Sequence, residues 1–269
     1  MPSAPLVLAA ALLGLGTGSL LHVVLRRVLL GEAVATSPGG CPGPEHRERP
    51  REDVPGLPWL LLRGRSRTCA EPVAPRYPLL GAATAALFVG VVALEGLTWA
   101  LPALLYLAAI SVVLTLIDLD VHRLPDVIVL PSYPVCAALL AVASWNPGGE
   151  PAWSALGRAA VGGAGLLALY LAPTLAAPGG VGLGDVKLAG LLGLCLGWFG
   201  WGALAVGGIA AFVLGGLYAV GLLVTRRADS RSGIPFGPWM LAGAWLGIAV
   251  GERVPAWYPG LLTSSPGAV

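Results

Sequence analysis

The sequence has very little charge and few cysteines. Asp, Glu, Lys and Arg make up 11% of its 269 residues, whereas 56% are hydrophobic, which is far from the balance of a soluble globular domain. The formal net charge of +2 leaves no broad basic surface, so we expect no nucleic-acid partner. Four cysteines are too few for a disulfide framework in a chain of this length. These scarcities exclude a soluble or disulfide-rich protein and indicate a chain that lies in a lipid bilayer.

Long apolar stretches, by contrast, recur along the whole chain. A helix needs about 20 apolar residues to cross a hydrocarbon core of roughly 30 Å, and the sequence contains eight such candidate spans. They lie near residues 6–25, 78–94, 99–117, 127–145, 153–175, 186–201, 203–224 and 236–250. The sequence therefore predicts an all-α, polytopic integral membrane protein with about eight transmembrane helices.

Positive charge is concentrated on one side of these predicted spans. Arg26 and Arg27 follow the first span directly and no basic residue precedes it, which is the reverse of a secretory signal peptide. With the N-terminus outside, only Arg158 and Arg253 of the 16 Lys and Arg residues fall on the outer face. The positive-inside rule then makes the other face cytoplasmic. We expect a multi-pass protein of the cell inner membrane with both termini extracytoplasmic.

This topology divides the chain into four regions. It predicts a first transmembrane helix over 1–25, a long cytoplasmic loop over 26–77, a membrane-embedded region over 78–250 and an extracytoplasmic tail over 251–269. The loop mixes acidic and basic residues and contains many prolines, which is typical of a partly disordered segment. The alternative is a small module that binds substrate or a cofactor.

Two acidic residues at the edges of apolar spans are candidates for chemistry. Acids in such positions are costly and invite a functional hypothesis. Asp118 ends the third span, and Asp185 opens the sixth, directly after Gly182, Leu183 and Gly184. Both fall at the cytoplasmic boundary of the predicted topology. Taken alone, Asp185 could equally be the N-cap of an ordinary helix, and Asp118 a surface charge at a helix end.

Two carboxyl groups that share a water molecule can hydrolyse a peptide. Mutual repulsion keeps one of them protonated, so that the ionised group deprotonates the water while the protonated group polarises the scissile carbonyl. The sequence leaves open which aspartate takes which part. Glycines at 182 and 184 would let an extended substrate backbone approach closely.

Several motifs together resemble those of the type IV prepilin peptidases, the bacterial branch of the Gly-x-Gly-Asp aspartyl proteases. The family's Asp-x-Asp-x-x-x-Leu-Pro-Asp is similar to residues 118–126, and its Gly-x-Gly-Asp-Val-Lys-Leu to residues 182–188. Further similarities, in the family's order, lie at residues 18–21, at 62–65 with 76–79, and at 234–238. The resemblance extends over almost the entire chain.

The resemblance implies an aspartic endopeptidase with Asp118 and Asp185 as its catalytic pair and with Asp120 and Asp126 as flanking acids. Gly182 and Gly184 would bind substrate. The implied partner is a prepilin or pseudopilin precursor of a type IV pilus or secretion system, whose leader is cut on the cytoplasmic side. Many relatives also N-methylate the product with S-adenosylmethionine, and we expect that cofactor here only if this second activity is retained. We expect Lys187 to be an interfacial charge without a catalytic role.

One feature of the family is only half present. Many members carry two Cys-x-x-Cys pairs in the first cytoplasmic loop, a spacing that suits tetrahedral zinc. Here one cysteine of each pair remains, at Cys41 and Cys69. His46 could add a third ligand, but no fourth is evident. We therefore expect no metal site, and free thiols in a reducing cytoplasm.

Three other functions compete with this interpretation. A transporter would use Asp118 and Asp185 as an ion or proton relay, but such acids usually lie near the bilayer midplane. A protease resembling presenilin and signal-peptide peptidase would need a tyrosine before the first aspartate, where Ile117 stands. A purely structural membrane scaffold would leave the two boundary acids unexplained.

Overall fold

A computed structural model describes residues 3–30, 76–176, 182–225 and 235–251. All regular structure in these residues is helical. The eight helices are α1 (Ala4–Leu30), α2 (Arg76–Glu95), α3 (Leu101–Val121), α4 (Asp126–Trp145), α5 (Trp153–Ala176), α6 (Leu183–Phe199), α7 (Trp201–Val224) and α8 (Gly237–Val250). Each coincides with one predicted span to within a few residues, which confirms the all-α polytopic architecture.

The helices differ in how well they match the thickness of a bilayer. Five of them, α1, α3, α4, α5 and α7, contain a stretch long and apolar enough to cross a membrane. Of the other three, α2 has 20 residues, whereas α6 and α8 are shorter, with 17 and 14 residues. The first turn of α6 carries Asp185, followed by Lys187, so this short helix begins with polar residues.

The described helices fall into two compact units. One contains α1, α2 and residues 104–113 of α3, and the other contains the two ends of α3 with α4 to α8. In the first unit, α1 and α2 pack backbone to backbone, because a Cβ atom at Gly18 would lie only 2.7 Å from the Cα of Gly81. Small residues at such contacts are how membrane helices approach closely.

In the second unit, glycines form two further close contacts between helices. Gly162 of α5 faces Gly193 of α6, where an added Cβ at Gly162 would lie 2.7 Å from the carbonyl oxygen of Gly193. Gly243 of α8 faces Ala211 of α7 in the same way, with an added Cβ 2.6 Å from the Ala211 nitrogen. Glycine therefore sets the helix spacing in the α5/α6 and α7/α8 pairs.

The ends of three helices position Asp118, Asp126 and Asp185. Helix α3 ends at His122, whose left-handed backbone (φ 52°) lets its N–H donate to the Asp118 carbonyl at 2.9 Å. Pro125 is the extended N-cap residue of α4, so that helix begins at Asp126. Helix α6 begins three residues earlier than expected, with Gly182 as its N-cap residue. The alternative in which Asp185 caps this helix is therefore wrong, and Asp185 lies within the first turn.

Several predictions fall outside the described residues. They concern the expected absence of a zinc site at Cys41, Cys69 and His46, and the motif segment 62–65 in the loop over 26–77. The boundaries of the four predicted regions, including the tail over 251–269, stay predictions.

Candidate active site

Asp118 lies at the buried end of α3. Its side chain is only 4% exposed, and the preceding Ile117 is buried as well. The carboxylate oxygen Oδ2 accepts a hydrogen bond from the backbone N–H of Gly237 at 2.9 Å. Gly237 is the first residue of α8, so an acid near the end of one helix is held by the beginning of another.

Asp185 lies beside Asp118 in the same unit. Its side chain is half-buried in the first turn of α6, and its carboxyl group is close enough to Asp118 to interact with it electrostatically. The Gly182 backbone at the N-cap position contacts the Asp185 carboxyl group, as an acid in the third position of a helix commonly does. The structure therefore brings together the two acids that the sequence singled out.

Leu124 joins the three helix ends that surround the pair. It is 9% exposed and lies in the turn between α3 and α4. A Cβ atom at Gly184 would lie 3.0 Å from the Leu124 Cβ, and one at Gly237 would lie 3.4 Å from its Cδ2. The starts of α6 and α8 thus both contact this leucine, which fixes their positions relative to the end of α3.

The two glycines predicted to bind substrate have different surroundings. Gly184 packs against Leu124, so its lack of a side chain serves helix contact. Gly182 is exposed, and a Cβ there would lie 3.3 Å from the Asp185 Oδ2. Of the two, Gly182 is the one that leaves space next to a carboxyl group. Substrate binding by either glycine stays a prediction.

The remaining charges of the two motifs are on the surface. Asp120 is exposed, whereas Asp126 forms an ion pair with Lys187, whose Nζ lies 2.7 Å from both of its carboxylate oxygens. The Tyr133 hydroxyl donates to the backbone carbonyl of Lys187 at 2.6 Å. Sequence reasoning placed Lys187 away from the chemistry but missed that it links the start of α4 to the first turns of α6.

An aromatic cluster next to Asp185 was also missed. Tyr170 of α5 is buried, lies near enough to Asp185 to interact electrostatically, and stacks on Phe212 of α7 with ring centroids 5.1 Å apart. Phe236, directly before α8, completes the cluster with centroid distances of 6.3 Å to Tyr170 and 5.7 Å to Phe212. Nothing local in the sequence marks Tyr170, because its partners come from distant helices.

The pair has the elements that acid–base chemistry needs. Two carboxyl groups at neighbouring helix ends, one buried and one half-buried, are suited to sharing one proton. Within the described ranges, no group of three or more His, Cys, Asp or Glu side chains could hold a metal ion.

Known families match the chain over most of its length. Residues 12–94 match the Bacterial Peptidase A24 N-terminal domain, and residues 105–220 match the Type IV leader peptidase family. Asp118 and Asp185 both lie in the second match. No solved structure matches the chain.

Similar proteins from three bacteria share the same name. The "Prepilin leader peptidase/N-methyltransferase" of Aeromonas hydrophila is 36% identical over 223 residues, which cover 81% of this chain and 73% of the relative. Proteins of the same name from Stutzerimonas stutzeri and Pseudomonas aeruginosa are 30% and 32% identical, and each alignment covers 94% of this chain and 93% of the relative.

Proposed function

The chain belongs to the type IV leader peptidase family, and we propose that Asp118 and Asp185 are the catalytic pair with which it cuts prepilin-like precursors. It is a multi-pass peptidase of the inner membrane. The single observation that carries the proposal is that Leu124 packs against both Gly184, which directly precedes Asp185, and Gly237, whose N–H donates to Asp118. This contact brings together the ends of two helices whose aspartates are 67 positions apart in the sequence (185 minus 118).

The proposed chemistry is addition of water to the scissile carbonyl. The ionised carboxylate removes a proton from a water molecule as the oxygen attacks the carbonyl carbon, and the protonated carboxyl group donates a hydrogen bond to the carbonyl oxygen. The tetrahedral intermediate then breaks its carbon–nitrogen bond as the nitrogen takes up a proton from the pair. The carboxyl groups return to sharing one proton, so no net proton is lost by the enzyme.

The substrate is proposed to reach the pair from the cytoplasm. Both aspartates lie at helix ends that the charge distribution places on the cytoplasmic side. A precursor with a short basic leader and an apolar helix would have the junction of leader and helix at the same depth. Exposed Gly182, beside the Asp185 carboxyl group, favours close approach by an extended peptide with a small residue, most simply Gly, just before the cut.

A second activity is part of the relatives' names. Because those names include N-methyltransferase, S-adenosylmethionine is a plausible cofactor of the family. We assign no site for S-adenosylmethionine among the described residues. No step of the proposed hydrolysis uses this cofactor. The alternative of a transporter with an acidic relay has no support among these relatives.

The test is to map the cut in a reconstituted precursor. The purified enzyme in lipid vesicles would be given a membrane-anchored substrate with a basic leader, a Gly at the junction and an apolar helix. Mass spectrometry should place the cut directly after that Gly, and replacing the Gly with Leu should block cleavage, whereas two extra leader residues should have little effect. A cut at the extracytoplasmic end of the substrate helix would overturn the proposal and the topology together.

A further inference from the structure

The start of α8 offers one backbone N–H to the proposed catalytic pair. In the first turn of this helix, Pro238 has no N–H, and the N–H groups of Trp239 and Met240 both donate to the carbonyl of Phe236 at 3.1 Å. The N–H of Gly237 donates instead to the Asp118 Oδ2 at 2.9 Å, in a buried position. The unpaired donor of a helix N-terminus is therefore used by an acid 119 positions away in sequence.

Such a contact favours the ionised form of a carboxyl group. A backbone N–H hydrogen bonds more strongly to a carboxylate than to a neutral acid, and the N-terminal end of a helix favours negative charge. The imidazole of His122 also lies within electrostatic reach of Asp118. Protonated His122 would add to the same effect.

Asp185 also lies at a helix N-terminus, in the first turn of α6, where the helix dipole favours its charge as well, so the difference between the two acids lies in their other neighbours. The backbone contact of Asp185 is with Gly182, the cap of its own helix, and its neighbours with electrostatic influence are Asp118 and Tyr170. Repulsion between the two carboxylates is mutual and favours neither, but the tyrosine beside Asp185 offers no positive charge. Only Asp118 combines a donor from a separate helix with a nearby imidazole.

We propose that Gly237 is a positioning residue that holds Asp118 as the ionised member of the pair, so that Asp118 is the base and Asp185 the proton donor. This inference rests on the proposed function. Glycine is required here because a Cβ atom would lie 2.8 Å from the Asp118 Oδ2 and 3.3 Å from its Cγ. Alanine at this position would push the carboxylate away from the N–H, and the three atoms nearest to its Cβ all belong to the side chains of Asp118 and Leu124.

The variant that tests this is Gly237→Ala, with Gly216→Ala as the matched control. Gly216 is an exposed glycine of α7 whose added Cβ would meet nothing within 4 Å. We expect Gly237→Ala to fold, with a melting temperature in detergent within a few degrees of the control. Its kcat should fall roughly 10- to 100-fold with KM little changed, because misplacing a reacting group by a fraction of an ångström costs about that much.

The pH profile of kcat identifies which carboxyl group is ionised. The two limbs of a bell-shaped profile belong to the pair as a whole, but weakening the hydrogen bond to Asp118 raises the proton affinity of that group alone. If Asp118 is the base, activity needs it deprotonated, so the acid limb moves up by about one pH unit while the alkaline limb stays. The pH range over which Gly237→Ala is active is therefore narrower than that of the parent enzyme.

Two outcomes would overturn the inference. An upward shift of the alkaline limb with a fixed acid limb would make Asp118 the proton donor, and a loss of kcat with both limbs unmoved would reduce Gly237 to a steric role. His122 is the C-cap residue of α3, four positions after Asp118, so the shift must persist in a His122→Asn background, where Asn tolerates the left-handed backbone. A shift that disappears there would assign the effect to His122 and reject the proposal.

The result remains decisive if Gly237→Ala is inactive. Infrared spectroscopy can then follow the carboxyl stretch of Asp118 as a function of pH, with the Asp118→Asn spectrum subtracted. We expect Asp118 to ionise at higher pH in Gly237→Ala than in the parent protein. An unchanged ionisation pH would contradict the inference. A parent enzyme that fails to cleave any prepilin-like substrate would reject the proposed function itself. A cleaving parent whose limbs do not move as described would reject this inference alone.

Discussion

The glycines between helices and the glycines around the aspartates meet different kinds of atoms. At several helix contacts, among them Gly162, Gly193 and Gly243, an added Cβ would press on backbone, as at Gly197, where it would lie 2.6 Å from the Arg158 carbonyl oxygen. At the proposed site, the atoms that it would meet first belong to side chains: Asp185 for Gly182, Leu124 for Gly184, and Asp118 for Gly237. The carboxyl groups of Asp118 and Asp185 can turn aside, whereas a helix backbone must move as a body, and so must the Leu124 Cβ that Gly184 would meet. We therefore expect the glycines at the helix contacts to matter most for folding, and Gly182 and Gly237 to matter most for chemistry.

The comparison predicts its largest effect at the α5/α6 contact. In Gly193→Leu, the new side chain would press on the carbonyl group of Gly162 and on the Cα of Gly163, and the two helices would have to separate. We expect the free energy of unfolding to fall by about 3 kcal/mol or more. Equilibrium unfolding in mixed detergent micelles measures this loss.

The matched control for this change is Gly165→Leu, on the exposed side of α5, where an added Cβ would meet nothing within 4 Å. It should leave the free energy of unfolding unchanged or slightly raised, because Leu has the higher helix propensity. Equal stability of the two leucine variants would show that the helices do not pack on these glycines.

A smaller effect is expected for the ion pair that links the two motifs. The side chains of Lys187 and Asp126 are 35% and 55% exposed, and such pairs contribute about 0.2–1 kcal/mol. Lys187→Met should lower stability by less than about 1 kcal/mol and change the cleavage rate only a few-fold. A double-mutant cycle with Asp126→Asn measures the coupling between the two. A folded Lys187→Met enzyme without activity would instead make the lysine part of the chemistry.

Local patterns were sufficient for the helices and for the two aspartates. Apolar runs separated by Pro, Gly and charge marked all eight helices, and the Gly-rich lead into Asp185 marked the start of α6. The start was misjudged by three residues because Asp185 and Lys187 made the first turn look like a loop. In the structure, Lys187 forms an ion pair with Asp126 at the start of α4, and Asp185 lies near the end of α3.

The contacts around the pair could not be derived from the sequence. Gly237 belongs to a motif similar to the family's, but nothing within that motif points to an acid 119 residues earlier. The helices are apolar on every face, so no periodicity tells which of them pair through glycine. Tyr170 and Leu124 gain their importance only from neighbours supplied by other helices.

Cleavage by the single asparagine variants at Asp118 and Asp185 tests the central claim most directly. Each exchange keeps the side-chain volume but removes the group that exchanges a proton with water or substrate. In purified membranes, we expect each to lower the cleavage rate by several orders of magnitude, and the double variant to be no worse than either one, because the two act as a unit. Asp120→Asn, at an exposed position, should remain close to the parent rate. Robust cleavage by either Asp118→Asn or Asp185→Asn would contradict the account.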